Sequence, residues 1–85
     1  MTQIDYSKLR SLTAGKLVVA LEQDGFCQRR RRGSHHRYAH ADGRRVTVTF
    51  HHSGQTFKIG ALRSMIGKQA QWNEEDLERV KLLRD

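Results

Sequence analysis

His35-His36-Arg37-Tyr38-Ala39-His40-Ala41-Asp42-Gly43-Arg44-Arg45-Val46-Thr47-Val48-Thr49-Phe50 is the stretch from which the fold can be read. Val46, Val48 and Phe50 alternate with Arg45, Thr47 and Thr49, the period of a strand with one apolar and one polar face. Its partner is the preceding segment, His35 to His40. A two-residue loop at Asp42-Gly43 would put Val46 and Val48 on the side of Ala39 and Arg37 and drive an arginine into the core. A three-residue loop, Ala41-Asp42-Gly43, avoids this. It is a common hairpin type, a type I turn closed by a glycine in the left-handed region, and it pairs Tyr38 with Val46 and His36 with Val48. Tyr38 and His36 then point inward. Strict alternation turns His35 and Arg37 outward, opposite Thr49 and Thr47.

Immediately upstream runs Arg29-Arg30-Arg31-Arg32-Gly33-Ser34, four permanently charged guanidinium groups leading into a glycine turn and then into the two imidazoles. Arginines alone imply binding to a polyanion, whereas a histidine presented beside them adds acid/base chemistry on a phosphate backbone. A strand from about Phe26 to Arg31 with such a second half belongs at a sheet edge or facing solvent. Part of the run could also serve as a guard against edge-to-edge aggregation. Before it, Thr13 is a good N-cap, and Ala14, Leu17, Val18 and Leu21 recur at the spacing of one helical face. This predicts a helix from about Ala14 to Asp24, stopped by Gly25 in the left-handed region. Residues 1–12 show no clear period and are expected to be an extended or loosely packed lead-in anchored by Ile4, Tyr6 and Leu9.

Downstream of the hairpin, His51 to Thr56 is polar and reads as a loop. Ile59, Leu62, Met65 and Ile66 then mark a second helix at about Gly60 to Ala70, with Gly67 inside it costing about 1 kcal/mol relative to alanine. Trp72 marks a break. Asn73 is an N-cap followed by Glu74, Glu75 and Asp76, where negative charge complements the helix dipole, and Leu77, Val80 and Leu83 give an apolar side. A third helix is expected from Asn73 to Arg84. Helix, three antiparallel strands and helix make an α+β sandwich: a three-stranded antiparallel sheet with both helices on one face, plus a short C-terminal helix. The other face stays open, carrying His35, Arg37, Arg45, Thr47 and Thr49 with arginines of the first strand nearby.

The 85 residues are read as one domain, with a lead-in at 1–12, a core at 13–70 and a helical extension at 71–85. A formal net charge of +7 favours phosphate-rich partners or an acidic protein. Cys27 is the only cysteine, so no internal disulfide can form, and a reducing cytoplasm is the expected compartment. Met1 to Arg10 hold Asp5, Lys8 and Arg10 and no apolar run, so neither a signal peptide nor a membrane span is expected. Cys27, His35, His36, His40 and His51 show no standard ligand spacing, and strand neighbours point to opposite faces; no metal and no other cofactor is expected. No Gly-x-Ser-x-Gly elbow surrounds Ser34, and nothing in sequence activates Cys27 as a nucleophile.

Leu21-Glu22-Gln23-Asp24-Gly25-Phe26, Arg32-Gly33-Ser34-His35-His36, Asp42-Gly43-Arg44-Arg45-Val46-Thr47-Val48 and Leu62-Arg63-Ser64-Met65-Ile66 follow one another in the order and spacing of the HicA toxin family, which the chain resembles over about residues 13–70. The Gly-Ser-His element is the most telling part. The chain departs from the family in lacking proline, with Ala41 in the hairpin loop and Thr49 after the third strand. The resemblance implies a fold like that of double-stranded-RNA-binding domains, in an α-β-β-β-α order. It also implies ribonuclease activity on messenger RNA, and a HicB-like antitoxin protein that holds the enzyme inactive in a type II toxin–antitoxin system. The family's catalytic histidine, the first after Gly-Ser, falls on His35. A metal-independent endoribonuclease would use it as general base on the ribose 2′-hydroxyl. Neighbouring guanidinium groups favour the neutral form of an imidazole, the form able to take a proton, and stabilise charge building on the phosphate.

The expected RNA-binding surface comprises Arg29, Arg30, Arg31, Arg32, Gly33, Ser34, Arg37, Arg45, Thr47 and Thr49. His36 and His51 are expected beside the catalytic group as supporting residues, and the proton for the leaving oxygen has three candidate sources: His51, Ser34 or water. The assembly is expected as a homodimer or a toxin–antitoxin hetero-oligomer. The alternative reading is a non-catalytic RNA-binding module or an inactive toxin homologue.

Overall fold

The computed structural model describes residues 4–82. The first long helix, α1 (Ala14–Gln23), opens where Thr13 Oγ1 accepts the Lys16 N–H at 3.3 Å, satisfying one of the free donors of its first turn. It closes at Gly25, whose φ of +100° lets its N–H reach the Glu22 carbonyl while the Phe26 N–H reaches that of Leu21. That turn aims Phe26 into the core. Ahead of α1 the lead-in is not extended. Tyr6–Leu9 form a 3₁₀ turn begun by Asp5, whose carboxylate accepts the Ser7 N–H, and Leu9 and Leu12 are buried. A single short turn spans too few residues to show a helical period, which is why the sequence hides it. Ile4 and Tyr6 pack at the margin of the core, as expected.

The strands β1 (Cys27–Arg32), β2 (His35–Ala39) and β3 (Arg45–Thr49) form one antiparallel sheet in that order. The β2–β3 register is the one derived from the hairpin: His35 opposes Thr49, His36 Val48, Arg37 Thr47 and Tyr38 Val46. His40 and Arg44 are the last hydrogen-bonded pair, and the Gly43 N–H closes the turn on the His40 carbonyl at 3.0 Å with φ +101°. The loop is therefore Ala41-Asp42-Gly43. Burial follows, with His36, Tyr38, Val46 and Val48 covered and their strand neighbours exposed or half-exposed. β1 lies at the edge and is exposed along its whole length, as its arginines require.

The second helix corrects the expected element in form. One α-helical turn, α2 (Ile59–Leu62), widens into π-helix over Arg63–Gln69, with the Ala70 N–H reaching back to the Met65 carbonyl. Hydrophobic spacing does not encode whether a carbonyl is met four or five residues on, so the pattern alone gave a plain helix. Leu62, Met65 and Ile66 are buried as expected. Gly67 has a packing reason, since a Cβ there would lie 2.8 Å from the Tyr6 hydroxyl. Gln69 bridges the helix to the sheet: its Nε2 donates to Ser64 Oγ, and its Oε1 accepts the Thr47 N–H at 2.8 Å. That pairs a donor on the outer edge of β3 that would otherwise be free.

The last helix, α3 (Glu74–Arg79), begins with a reciprocal cap in which Asn73 Oδ1 accepts the Asp76 N–H and Asp76 Oδ2 accepts the Asn73 N–H. It stops well short of the expected Arg84. Lys81 takes the left-handed conformation (φ +64°), and the Lys81 and Leu82 N–H groups return to the Glu78 and Leu77 carbonyls. A lysine in the place usually given to glycine carries no stop signal. Leu83 and Arg84 lie outside the described residues. Leu77 and Val80 are buried, as expected. With Leu17, Ala20, Leu21, Leu62, Ile66 and Trp72 they cover the inner face of the sheet in one apolar cluster. No helix among the described residues is long and apolar enough to cross a membrane.

Candidate nucleic-acid interface

Directly opposed residues in an antiparallel sheet share a face. The face opposite the helices therefore carries His35, Arg37, Arg45, Thr47 and Thr49 from β2 and β3. Which arginines of β1 join them is decided by a bulge between Gln28 and Arg30, where Arg29 is the extra residue. Beyond it Arg30 opposes Arg37 and Arg32 opposes His35, so both stand on the open face. Arg31 opposes His36 and stands on the other side of the edge, where its Nε donates to the Gly33 carbonyl at 3.3 Å. Gly33 takes φ +58° in the two-residue turn between β1 and β2, a conformation that leaves the arginine strand doubling straight back onto the histidines.

Arg30, Arg32, His35 and Arg37 together line a shallow concavity of about 160 Å³. His35 is exposed, with its Nδ1 3.2 Å from Thr49 Oγ1. The three strands contain no Asp or Glu, and the ion pairs among the described residues employ Arg44 and Arg79, not the arginines of the strands. Their charge is thus uncompensated by any ion pair among the described residues and available to an anion.

His36, one residue on, meets a different environment. It is 7% exposed, stacks on Phe50 with ring centres 4.0 Å apart, and has Nδ1 3.5 Å from Gln28 Nε2. Burial pushes its pKa below that of an ordinary imidazole; the Arg31 charge adds to this, and the Phe50 backbone partly opposes it. Its neutral form is therefore the favoured one, and the ring packs on Phe50 on the inner side of the sheet.

Ser34 is half-buried and its carbonyl accepts the Phe50 N–H at 3.0 Å. His51 lies in the loop after β3, its backbone N–H given to Gln55 Oε1, and it does not line the concavity. Arg45 is exposed at the far end of the face, opposite Ala39. Cys27 is exposed and opposes Ala39 from the other strand. Among the described residues no three His, Cys, Asp or Glu side chains converge as a metal-holding group. Sequence reasoning did not find Gln28 beneath His36 or the bulge at Arg29, because a run of identical arginines has no alternation to break.

The geometry thus joins a cationic face, an exposed imidazole at its concavity and the turn that presents it. A search among curated proteins finds no match to this chain. A family model described as the HicA toxin of bacterial toxin–antitoxin systems matches residues 14–72, from the first residue of α1 to the tryptophan that precedes α3. That span contains the whole sheet and the first two helices, and the chain belongs to the HicA toxin family.

Proposed function

We propose that this toxin is a metal-independent endoribonuclease that cuts messenger RNA laid across the open face of the sheet, with His35 as general base. The observation that carries the reading is the concavity in which one exposed imidazole stands among three guanidinium groups on a face free of carboxylates. Arg30, Arg32 and Arg37 hold the phosphate, and Arg45, Thr47, Thr49, the bulge residue Arg29 and the turn at Gly33 and Ser34 extend the surface along the chain. His35 takes the proton of the ribose 2′-hydroxyl. The freed oxygen attacks the adjacent phosphorus, the bond to the 5′ oxygen breaks, and that oxygen takes a proton from solvent. The products are a 2′,3′-cyclic phosphate and a 5′-hydroxyl. RNA supplies its own nucleophile, so the protein's part is a base and charge stabilisation of the phosphate in the transition state.

Such an enzyme works in the cytoplasm, where its substrate is, and is silenced by a HicB-like antitoxin that covers the open face and buries His35 in a toxin–antitoxin hetero-oligomer. An acidic segment suits that surface. The test is incubation of the purified toxin with RNA in chelator. Cleavage leaving cyclic phosphate ends is expected, and His35→Ala should reduce the rate by about 10²–10⁴, the range for a removed general base, with RNA binding retained. RNA bound but uncut by the unsubstituted protein would make it a binding module.

A further inference from the structure

Thr49 stands across the β2–β3 ladder from His35, and its hydroxyl is the hydrogen-bonding partner of the ring, Oγ1 to Nδ1 at 3.2 Å. A threonine hydroxyl can donate or accept, so the contact alone leaves two arrangements. In one the hydroxyl donates to a bare Nδ1 and the ring proton sits on Nε2. In the other Nδ1–H donates to Oγ1 and Nε2 carries the lone pair. His35 helps line the concavity with Arg30, Arg32 and Arg37, and Thr49 does not. Nδ1 is engaged by Thr49, so Nε2, on the far side of the ring, is the nitrogen left free to serve the concavity that His35 helps to line. Guanidinium groups are donors only. An Nε2–H would add a further donor to that ring of donors, whereas a bare Nε2 suits it.

We propose that Thr49 is a positioning residue: it accepts a hydrogen bond from His35 Nδ1–H and thereby holds the imidazole with its lone pair on Nε2, aimed at the phosphate-binding concavity. This rests on the reading of His35 as general base and specifies which nitrogen does the work. Free histidine in water favours the opposite tautomer, with the proton on Nε2, so the protein must supply an acceptor at Nδ1 to reverse it. Cross-strand pairing supplies it here. Thr49 occupies the non-core face of an exposed strand end, so replacing it does not disturb the packed core.

The test pairs ring ¹⁵N spectra with single-turnover cleavage in chelator for the unsubstituted toxin, Thr49→Val, Thr49→Ser and His35→Ala. Valine keeps the shape and the strand preference and removes only the hydroxyl. The unsubstituted protein should show His35 protonated on Nδ1 when neutral. Thr49→Val should move the proton to Nε2 and lower the single-turnover rate at saturating RNA about tenfold, and Thr49→Ser should restore both. A neutral His35 protonated on Nε2 in the unsubstituted toxin overturns the proposal, as does a Thr49→Val spectrum unchanged from it. Undiminished cleavage by His35→Ala would instead overturn the assignment of the base, while the ring spectra would still decide whether Thr49 sets the tautomer.

Discussion

Trp72 Nε1 donates a hydrogen bond to Asp24 Oδ2 at 2.7 Å, tying the residue before the last helix to the residue that caps the first. The same carboxylate receives Arg44 at 3.2 Å and Arg79 at 2.7 Å, and the Asp24 carbonyl meets His40 Nε2 at 2.7 Å. One nearly buried acid therefore joins α1, the hairpin loop and α3. Burial alone would raise its pKa, but the hydrogen bonds from Trp72 and Arg79 and the charges of Arg79 and Arg44 outweigh that and hold it below the ordinary carboxylate value. Asp24→Ala leaves a tryptophan N–H and a partly buried guanidinium without their acceptor and should cost about 3 kcal/mol or more. Arg79→Ala removes a half-exposed partner and should cost less than about 1 kcal/mol. Urea melts of both variants check the contrast. Equal losses would mean that Asp24 is no hub.

His36 makes stability depend on pH in a window of its own. The folded chain depresses its pKa, so between the folded value and the ordinary value of about 6.5 the unfolded chain binds the proton more readily. Its contribution is fully present above about pH 6.5 and is lost as the pH falls toward the folded pKa. The melting temperature should decline on acidification from about pH 7 to pH 5, before the carboxylates titrate. In His36→Phe, which can stack on Phe50 and has no proton to take up, that decline should flatten. Parallel slopes in the two proteins would place the titration elsewhere.

The hairpin register was legible because one constraint, that Arg37 stay out of the core, rules out the two-residue loop at Asp42-Gly43 and is met by the common three-residue type. The open face and the outward His35 came with it. The arginine strand was legible as an edge but not in detail: the bulge at Arg29 is fixed by pairing to β2, and four identical side chains give no clue to which of them it turns outward. Helix lengths failed for a related reason. Nothing in Arg63–Gln69 distinguishes π from α geometry, and Lys81 ends α3 in a conformation that only the closing hydrogen bonds explain. The Asp24 cluster was invisible because its members are scattered from residue 24 to residue 79 and meet only in the fold.

Gly67 and Tyr6 should behave as a coupled pair. Alanine in place of glycine favours a helix by about 1 kcal/mol. Here the new Cβ would stand 2.8 Å from the Tyr6 hydroxyl and displace it. Gly67→Ala alone should therefore gain little or lose stability, while in a Tyr6→Phe background it should gain close to the full helical preference. A double-mutant cycle on thermal melts measures the difference, and a coupling of zero would show that Tyr6 yields at no cost.

The bulge makes a sharp distinction among four arginines that are equivalent in the sequence. Arg30 and Arg32 stand on the open face with His35 and Arg37, whereas Arg31 lies on the opposite side of the strand and Arg29 is the unpaired residue. Replacing Arg30 and Arg32 together with alanine removes the same net charge as replacing Arg29 and Arg31. Any difference between the two pairs therefore reports geometry and not total charge. For single-stranded RNA, each guanidinium that no longer neutralises a phosphate reduces the slope of log affinity against log salt by about 0.7. The Arg30/Arg32 pair should flatten the slope by about 1.4 and slow single-turnover cleavage at saturating RNA, since those guanidiniums also face the reacting phosphate. The Arg29/Arg31 pair should weaken binding modestly and leave the saturated rate unchanged. RNA titrations across a salt series, with cleavage measured in parallel, separate these outcomes. If both pairs flattened the slope equally and neither changed the saturated rate, the strand would act only through its long-range field, and the concavity around His35 would lose its claim to hold the scissile phosphate.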